Sequence, residues 1–172
     1  KMSSYITTSS KIHFTPVSPD PEQIVIRDIA HALSLMTRAN GHFPEFYSVG
    51  QHCIHCYEEA VARKYSPFLC KACLLHDASE AYLADITRPV KQFLPGYLEI
   101  EKRLQDTIYE KFLGRVPTET EQTAISSVDD TLLYYEFDHY MGEKLQKKPP
   151  KLNTTWQKTV RNEKIKQQLL PW

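Results

Sequence analysis

The fold is decided by the stretch Cys70-Lys71-Ala72-Cys73-Leu74-Leu75-His76-Asp77-Ala78-Ser79-Glu80. Its first part is mostly apolar and predicts a buried helix, and a His–Asp pair follows directly. An apolar helix does not bury an imidazole and a carboxylate side by side without partners, and a divalent metal ion would satisfy both. Glu80 lies three residues after Asp77, so a helix places both carboxylates on one face. The stretch therefore predicts a metal site with a free acid beside it, an arrangement typical of hydrolysis.

Length and composition indicate one helical domain. A chain of 172 residues is long enough to bury a substantial core. It has only five glycines, which disfavours an all-β fold, and no GxxxxGK phosphate loop. No apolar run approaches the ~20 residues that span a membrane, and the N-terminus lacks the apolar core of a secretory signal. We therefore expect a cytoplasmic protein without a membrane partner.

The spacing of apolar residues predicts an all-α bundle with a small N-terminal β-hairpin. Ser48, Ser66 and Thr118 are candidate N-caps, with Pro67 suited to a first helical turn, and Gly114 is a candidate helix stop. The predicted elements are a hairpin within residues 4–14, helices over residues 21–38, 49–64, 67–83 and 98–113, and a last long helix from Thr118.

The charge is distributed unevenly along the chain. Residues 144–172 carry eight Lys and Arg against one Glu, a net charge of +7, so residues 1–143 carry −7 in this neutral chain. Pro149 and Pro150 mark a break before a last helical segment. The basic residues are spread out rather than clustered. We therefore interpret residues 144–172 as a basic helical tail that lies on its own acidic body or is solvated, and do not expect it to bind nucleic acid.

Further ligands for the predicted metal must come from neighbouring helices, because a mononuclear hydrolase site needs three or four fixed ligands and an open position. His52, in the preceding helix, is the best candidate among seven histidines. Asp129 and Asp130 are both candidates on the last long helix. Asp129 shares a face with Leu133 and its apolar neighbours, so we expect Asp129 to point inward and Asp130 to face solvent.

These residues resemble the H…HD…D pattern of the HD-domain metal-dependent phosphohydrolases. The run HDASEAYLADITRPVK, residues 76–91, is similar to the bacterial 5′-deoxynucleotidase branch of that superfamily in the spacing and identity of its residues. So are residues 46–52 and the group of Asp129 with Leu133 and Glu136. The resemblance covers roughly residues 20–143 and implies one HD-domain bundle over residues 1–172.

The resemblance also implies roles. One divalent ion (Mn²⁺, Co²⁺, Fe²⁺, Mg²⁺ or Zn²⁺) would be held by two imidazoles and two carboxylates. Glu80 would orient the attacking water or pass a proton to the leaving oxygen, and Asp85 would contact the sugar or assist that transfer. Arg38 would contact the phosphate, with Lys91 as a second cation. The implied metal ligands are His52, His76, Asp77 and Asp129.

One position departs from the family pattern. As we read that pattern, an aromatic residue follows the arginine and shapes the sugar pocket, whereas Ala39 follows Arg38 here. This predicts a looser pocket and weaker discrimination among nucleotides. His42 is a candidate substrate contact at the rim of the pocket, against the alternative of a solvated loop histidine. Arg38 could alternatively serve as a favourable charge at its helix C-terminus.

Three functions remain open at this stage. The first is a 5′-nucleotidase acting on (deoxy)nucleoside monophosphates, and the second is a nucleoside triphosphate triphosphohydrolase or another HD-type nucleotide phosphodiesterase. The third is not enzymatic: a metal-bound nucleotide sensor, or a zinc module built on Cys53, Cys56, Cys70 and Cys73. Both cysteine pairs fall within apolar helical patterns, so we interpret them as small buried hydrophobes. A monomer and a homodimer are both left open.

Overall fold

A two-stranded antiparallel hairpin opens the part of the chain that the computed structural model describes, residues 4–157. Strand β1 (Ile6–Thr7) pairs with β2 (His13–Phe14), with Ile6 opposite Phe14. The N–H of Ser10 in the connecting turn donates to the Asp28 carboxylate over 2.8 Å. Phe14 is buried and packs on the ring of Tyr82. The predicted hairpin is confirmed, and these contacts attach it to the helical body.

The remainder of the described chain is an all-α bundle, as predicted. Its seven α-helices are α1 (Ile26–Leu35), α2 (Val49–Ala62), α3 (Pro67–Leu75), α4 (Glu80–Leu83), α5 (Arg88–Lys91), α6 (Pro95–Leu113) and α7 (Glu119–Met141). Short 3-10 turns cover Pro21–Gln23 and Arg38–Gly41. None of the helices within residues 4–157 is long and apolar enough to cross a membrane.

Local capping chemistry explains most of the helix ends. Ser48 and Thr118 each form a reciprocal capping box at the start of α2 and α7. Ser66 accepts a hydrogen bond from the N–H of Leu69 at the start of α3. Gly114 ends α6 with a φ of 81°, a left-handed conformation that costs glycine little. These four boundaries match the sequence predictions.

The predicted helix over residues 21–38 is wrong in its bounds. Asp20 caps a short 3-10 turn over Pro21–Gln23, and the chain is extended at Val25 before α1 begins. Helix α1 then ends at Leu35, because the backbone of Met36 turns extended. Arg38 consequently lies on a separate turn, where Ala39 has a left-handed φ of 52°.

The predicted helix over residues 67–83 is interrupted at the His–Asp pair. A continuous helix would join the carbonyl of Leu75 to the N–H of Ser79. The amide of Gln105 takes both groups instead: its Nε2 donates to the Leu75 carbonyl over 2.7 Å, and its Oε1 accepts from Ser79 over 3.0 Å. A side chain inserted into the backbone ladder breaks a helix. Residues 76–79 therefore form a tight turn between α3 and α4.

The basic tail is also different from its prediction where it is described. Residues 144–155 are irregular rather than helical. Two consecutive prolines lie within them, and the N–H groups of Asn153 and Thr154 donate to the Glu59 side chain rather than to helical carbonyls. Residues 158–172, the rest of the predicted tail, lie outside the described residues.

Helix α2 is the centre of the bundle and packs against α1, α3 and α7. The close approach to α1 occurs at Gly50, where a Cβ would lie 3.2 Å from the backbone of Leu33. The four cysteines are free and buried on α2 and α3. This agrees with their interpretation as small core residues, and the core brings polar side chains of α2, of the turn after α3 and of α7 together at one point.

Candidate metal centre

Four residues that the sequence singles out converge at the centre of the bundle. His52 Nε2 lies 3.3 Å from His76 Nε2 and 3.1 Å from Asp129 Oδ1. His76 Nε2 lies 3.3 Å from Asp77 Oδ1. The remaining imidazole–carboxylate separations, His52 to Asp77 and His76 to Asp129, are both 3.8 Å. An ion with metal–ligand bonds of about 2.1 Å holds its ligand atoms roughly 3.0–3.4 Å apart. Histidine, cysteine and aspartate side chains here could therefore hold a metal ion.

Both imidazoles are oriented through their other ring nitrogen. His52 Nδ1 lies 2.5 Å from Glu136 Oε1, and His76 Nδ1 lies 2.8 Å from the carbonyl of Cys73. Each Nδ1–H donates to its oxygen, so Nε2 is the ring nitrogen that faces the cluster. Outer partners of this kind fix the tautomer and raise the basicity of metal-binding histidines. Glu136 is fully buried, so its carboxylate is held by these contacts rather than by solvent.

Asp129, rather than Asp130, points inward, as predicted. Its side chain is 18% exposed, against 60% for Asp130. Arg88 binds both carboxylates over 2.6 Å, donating to the outer oxygen of Asp129 and to Asp130. The outer oxygen of Asp129 is thus fixed while its Oδ1 faces the two imidazoles. Arg88, the first residue of α5, was not among the predicted site residues, and its only sequence signal is a basic residue shortly after Asp85.

Arg38 lies inside the cluster rather than at a helix end. Its Nη2 lies 3.1 Å from His52 Nε2 and 3.2 Å from Asp129 Oδ1. Its Nη1 is 3.5 Å from Asp77 Oδ2, and its Nε donates to Glu136 Oε2 over 3.3 Å. The alternative prediction, that Arg38 is a favourable charge at the C-terminus of its helix, is therefore wrong. The guanidinium occupies a position where the surrounding carboxylates attract a cation.

Glu80 is the first residue of α4 and Asp85 follows the end of this helix. Both side chains line the same cavity. Glu80 is buried, and its Oε2 has no hydrogen-bond partner among residues 4–157. Ala84 ends α4 with a φ of 87°, and this reversal turns Asp85 back toward the cluster. Non-glycine residues with such a φ are uncommon and often occur at functional sites.

The carboxylates of the cluster shift the pKa values of the groups around them. Burial and the charges of Asp77 and Asp85 raise the pKa of Glu80 to about 10. Burial lowers the pKa of His52 and His76, but the surrounding negative groups outweigh it and leave both pKa values above the usual one. Burial favours protonated Asp129, yet its bonds to the two imidazoles hold its pKa well below the usual range. Without a bound metal, the two histidines therefore hold their protons more strongly than usual, and a metal ion would have to displace them.

A cavity of about 370 Å³ opens onto the cluster and carries most of the predicted substrate contacts. Its polar lining includes Arg38, Asp85, Arg88 and Lys91, and its apolar lining includes Leu133, Phe137 and Leu145. Ala39 lies in its wall. Lys91 also binds Glu101 over 2.7 Å. His42 is exposed at the end of the Arg38–Gly41 turn and does not line this cavity.

A second cavity, about 880 Å³ in volume, borders the His–Asp pair. Residues of α6 and the start of α7 form its far wall, including Lys102, Asp106 and Gln122. Asp77, Glu80 and Lys91 line both cavities. Both cavities therefore reach Asp77, one of the four candidate ligands.

The cysteines divide between core and centre rather than forming a site of their own. Within residues 4–157, the groups that could hold a metal combine Cys56 with His52 and His76, or Cys53 with His76 and Asp77. Neither group gathers the four sulfurs. Cys56 Sγ lies 3.4 Å from His52 Nε2, and burial raises the pKa of its thiol to about 11.

Two proteins that are similar to this chain are both described as uncharacterized. The uncharacterized protein YfdR of Escherichia coli is 39% identical over 109 residues, which are 63% of this chain and 58% of YfdR. The chain thus spans less than two thirds of that relative. An uncharacterized protein of Rhodobacter capsulatus is 34% identical over 134 residues, 73% of this chain and 67% of the relative. No protein-family model matches the chain.

Proposed function

We propose that this chain, which belongs to the same family as the uncharacterized Rhodobacter capsulatus protein, is a metal-dependent phosphohydrolase of the HD type. Its substrates would be small nucleotides, foremost (deoxy)nucleoside 5′-monophosphates. The observation that carries the proposal is the convergence of His52, His76, Asp77 and Asp129, with their facing atoms 3.1–3.8 Å apart. The relatives' names supply no activity, so the proposal depends on the chemistry of the site.

The residues present fit a divalent cation. The donor set is two imidazoles, each with Nε2 facing the cluster, and two carboxylates, and this set suits Mn²⁺, Co²⁺, Fe²⁺, Mg²⁺ or Zn²⁺. The excess of buried carboxylates also favours a cation. When bound, the ion would lower the pKa of a coordinated water and neutralise phosphate charge.

Arg38 would then change partners. It now lies beside His52 Nε2 and Asp129 Oδ1, two atoms of the proposed ligand set. A cation held by those atoms would compete with the guanidinium for them. Arg38 would be free to bind the substrate phosphate, for which a planar guanidinium is well suited. Arg88 and Lys91 line the same cavity and would add positive charge beside that phosphate.

Glu80 would carry the proton transfer. Its Oε2 is buried, and it lies beside Asp77 without belonging to the ligand cluster. A carboxyl group with a raised pKa can hold a proton and deliver it to the leaving oxygen. Asp85, which lines the same cavity, would accept a hydrogen bond from a sugar hydroxyl or assist Glu80.

The smaller cavity supports a small substrate rather than a polymer. Its volume of about 370 Å³ lies within the range of small-ligand sites. Cations line one part of it, and Leu133, Phe137 and Leu145 line another. A nucleotide has the matching division between a charged phosphate and a flat base.

The larger cavity favours a second candidate function. Because Asp77 and Glu80 line both cavities, a phosphate at the centre could extend groups to either side. A nucleoside triphosphate or a phosphodiester has such groups, whereas a monophosphate fills one side. A triphosphohydrolase or phosphodiesterase is therefore the alternative. Release of tripolyphosphate would identify the first, and release of an alcohol from a phosphodiester would identify the second.

A substrate panel distinguishes these functions. Protein loaded separately with each of the five metals is incubated with ribo- and deoxynucleoside mono- and triphosphates, and with phosphodiester substrates. Orthophosphate and tripolyphosphate are quantified, and split esters are followed by chromatography. The Asp77→Asn variant, prepared identically, controls for contaminating phosphatases. We expect metal-dependent orthophosphate release from monophosphates, absent in Asp77→Asn.

The pattern of products decides the outcome. Tripolyphosphate or ester cleavage without monophosphate turnover would support the second candidate. No turnover with any metal would reject the enzyme in favour of a nucleotide sensor. Because Ala39 lies in the cavity wall, we expect a sugar preference below ~10³-fold, equivalent to about 4 kcal/mol.

A further inference from the structure

The segment after α7 returns to the body of the protein and is fastened there. The Tyr135 hydroxyl donates to the carbonyl of Pro150 over 2.9 Å. The N–H groups of Asn153 and Thr154 donate to Glu59 Oε2 over 3.0 and 2.9 Å. Glu59 is fully buried, and a buried carboxylate is stable only with such donors. Residues 150–156, here called the C-terminal strap, are therefore held in one place.

The strap ends in a buried tryptophan. Trp156 is 1% exposed and packs edge-on against an aromatic group that includes Tyr47 and His55. Its Nε1 donates to His55 Nδ1 over 3.0 Å. An indole N–H can only donate, so His55 Nδ1 is the acceptor. The strap thereby determines how one buried imidazole uses its lone pair.

That imidazole lies next to a hydroxyl with two possible acceptors. Tyr47 Oη is 2.8 Å from His55 Nδ1 and 3.1 Å from Glu136 Oε1. An imidazole nitrogen offers one lone pair, and the Trp156 N–H takes it. The Tyr47 hydroxyl proton is accordingly directed to Glu136. The same Oε1 also accepts from His52 Nδ1.

We propose that Trp156 is a positioning residue for His52, and that three buried side chains connect them: His55, Tyr47 and Glu136. The indole N–H directs the Tyr47 proton to Glu136, and Glu136, held by that donor, fixes the imidazole of His52. This inference rests on the proposed function, because it assigns a purpose to His52 as a metal ligand.

Removing the indole N–H reverses the direction of the Tyr47 hydroxyl. The hydroxyl can then donate to His55, and Glu136 loses one of the donors that fix its carboxylate. Outer partners of metal-binding histidines typically change metal affinity by about 10–100-fold. Trp156 acts on Glu136 through two further residues, His55 and Tyr47, so we expect a loss of about tenfold, at the lower end of that range.

The experiment compares wild type with Trp156→Phe, Tyr47→Phe and the variant that carries both changes. Each is titrated with Co²⁺, whose visible absorption reports both affinity and ligand geometry. Tyr134→Phe is the matched control, because the buried Tyr134 hydroxyl on α7 has no hydrogen-bond partner in the described part of the chain. Thermal unfolding of every variant is measured without metal.

We expect Trp156→Phe and Tyr47→Phe to weaken Co²⁺ binding and shift its absorption bands, while Tyr134→Phe does neither. The double variant should bind no more weakly than Tyr47→Phe alone, because both changes interrupt one chain. Additive losses, or losses that follow only the unfolding temperature, would overturn the proposal. So would wild-type affinity in Trp156→Phe. Wild-type protein that binds no metal would reject the proposed function and this inference together, whereas wild-type binding with an unaffected Trp156→Phe would reject only the inference.

Discussion

Gln105 binds the carbonyl of Leu75 over 2.7 Å, and thereby takes the place that Ser79 would have in a continuous helix. The break falls at His76 and Asp77, the two adjacent residues that face the candidate metal centre. Gln105 comes from α6, and its amide supplies both the donor and the acceptor that the interrupted backbone needs. The geometry of the His–Asp pair thus depends on a residue from another helix.

Gln105→Met should weaken metal binding by about 10–100-fold, as for other outer partners of metal ligands. Methionine fills a similar volume but cannot satisfy the Leu75 carbonyl and the Ser79 N–H. Residues 76–79 would then be free to continue α3 and turn Asp77 away. Gln122→Met, which changes another glutamine lining the same cavity, is the control. Unchanged Co²⁺ affinity in Gln105→Met would contradict this role.

Asp129→Ala and Asp130→Ala form a matched pair on α7. Asp129 Oδ1 lies 3.1 Å from His52 Nε2, whereas the Asp130 side chain is 60% exposed. We expect Asp129→Ala to lose tight metal binding and activity together, and Asp130→Ala to retain both within a few-fold. Metal content after dialysis and nucleotide turnover provide the measurements. The reverse result would show that Asp130 is the ligand.

The sequence predicts the helices and the ligand set for different reasons. Helix boundaries at Ser48, Ser66, Thr118 and Gly114 depend on neighbouring residues, so local capping patterns suffice. The ligands follow from residue type and spacing, since His76, Asp77 and the inward face of α7 are visible as patterns. His52 is the best further histidine because it lies in the preceding helix, and the resemblance, which includes residues 46–52, then implies that it is their partner.

Contacts between distant residues could not be predicted in this way. Gln105 interrupts a helix 30 residues earlier through its side chain, and nothing in its local sequence distinguishes it from a surface glutamine. Glu136 was identified only as part of a motif, whereas its two oxygens separately bind His52 and Arg38. The packing of Trp156 depends on a buried carboxylate, Glu59, far away in sequence. Each depends on tertiary packing that periodicity does not encode.

Glu80→Gln should retain the metal and lose turnover by ~10²–10⁴-fold, the usual contribution of general acid–base catalysis. Glutamine has the same size and can still hydrogen-bond, but it does not exchange a proton in this role. Glu99→Gln, an exposed residue on α6, is the control and should behave as wild type. Turnover of Glu80→Gln at saturating metal that matches wild type would rule out proton transfer by Glu80.

Metal affinity should rise with pH through the neutral range. The pKa values of His52 and His76 are raised, so near neutral pH the metal-free protein retains protons that metal binding must displace. Each proton released strengthens apparent binding by about tenfold per pH unit until the histidines are neutral. Calorimetry in buffers of different ionisation enthalpy counts the protons. His42→Ala, which removes an exposed histidine, should leave the pH dependence unchanged, and pH-independent binding in wild type would contradict the prediction.

Arg38→Ala should separate substrate binding from metal binding. Removing the guanidinium removes a cation that now faces His52 and Asp129, so metal should bind as tightly as in wild type or more tightly. The substrate phosphate would lose a charge-assisted hydrogen bond worth about 1.5–3 kcal/mol, so KM for nucleotides should rise by about 10–150-fold. Arg27→Ala, an exposed arginine on α1, controls for the loss of positive charge. If Arg38→Ala loses its metal while KM measured with excess metal is unchanged, then Arg38 holds the ligands in place and does not bind the phosphate.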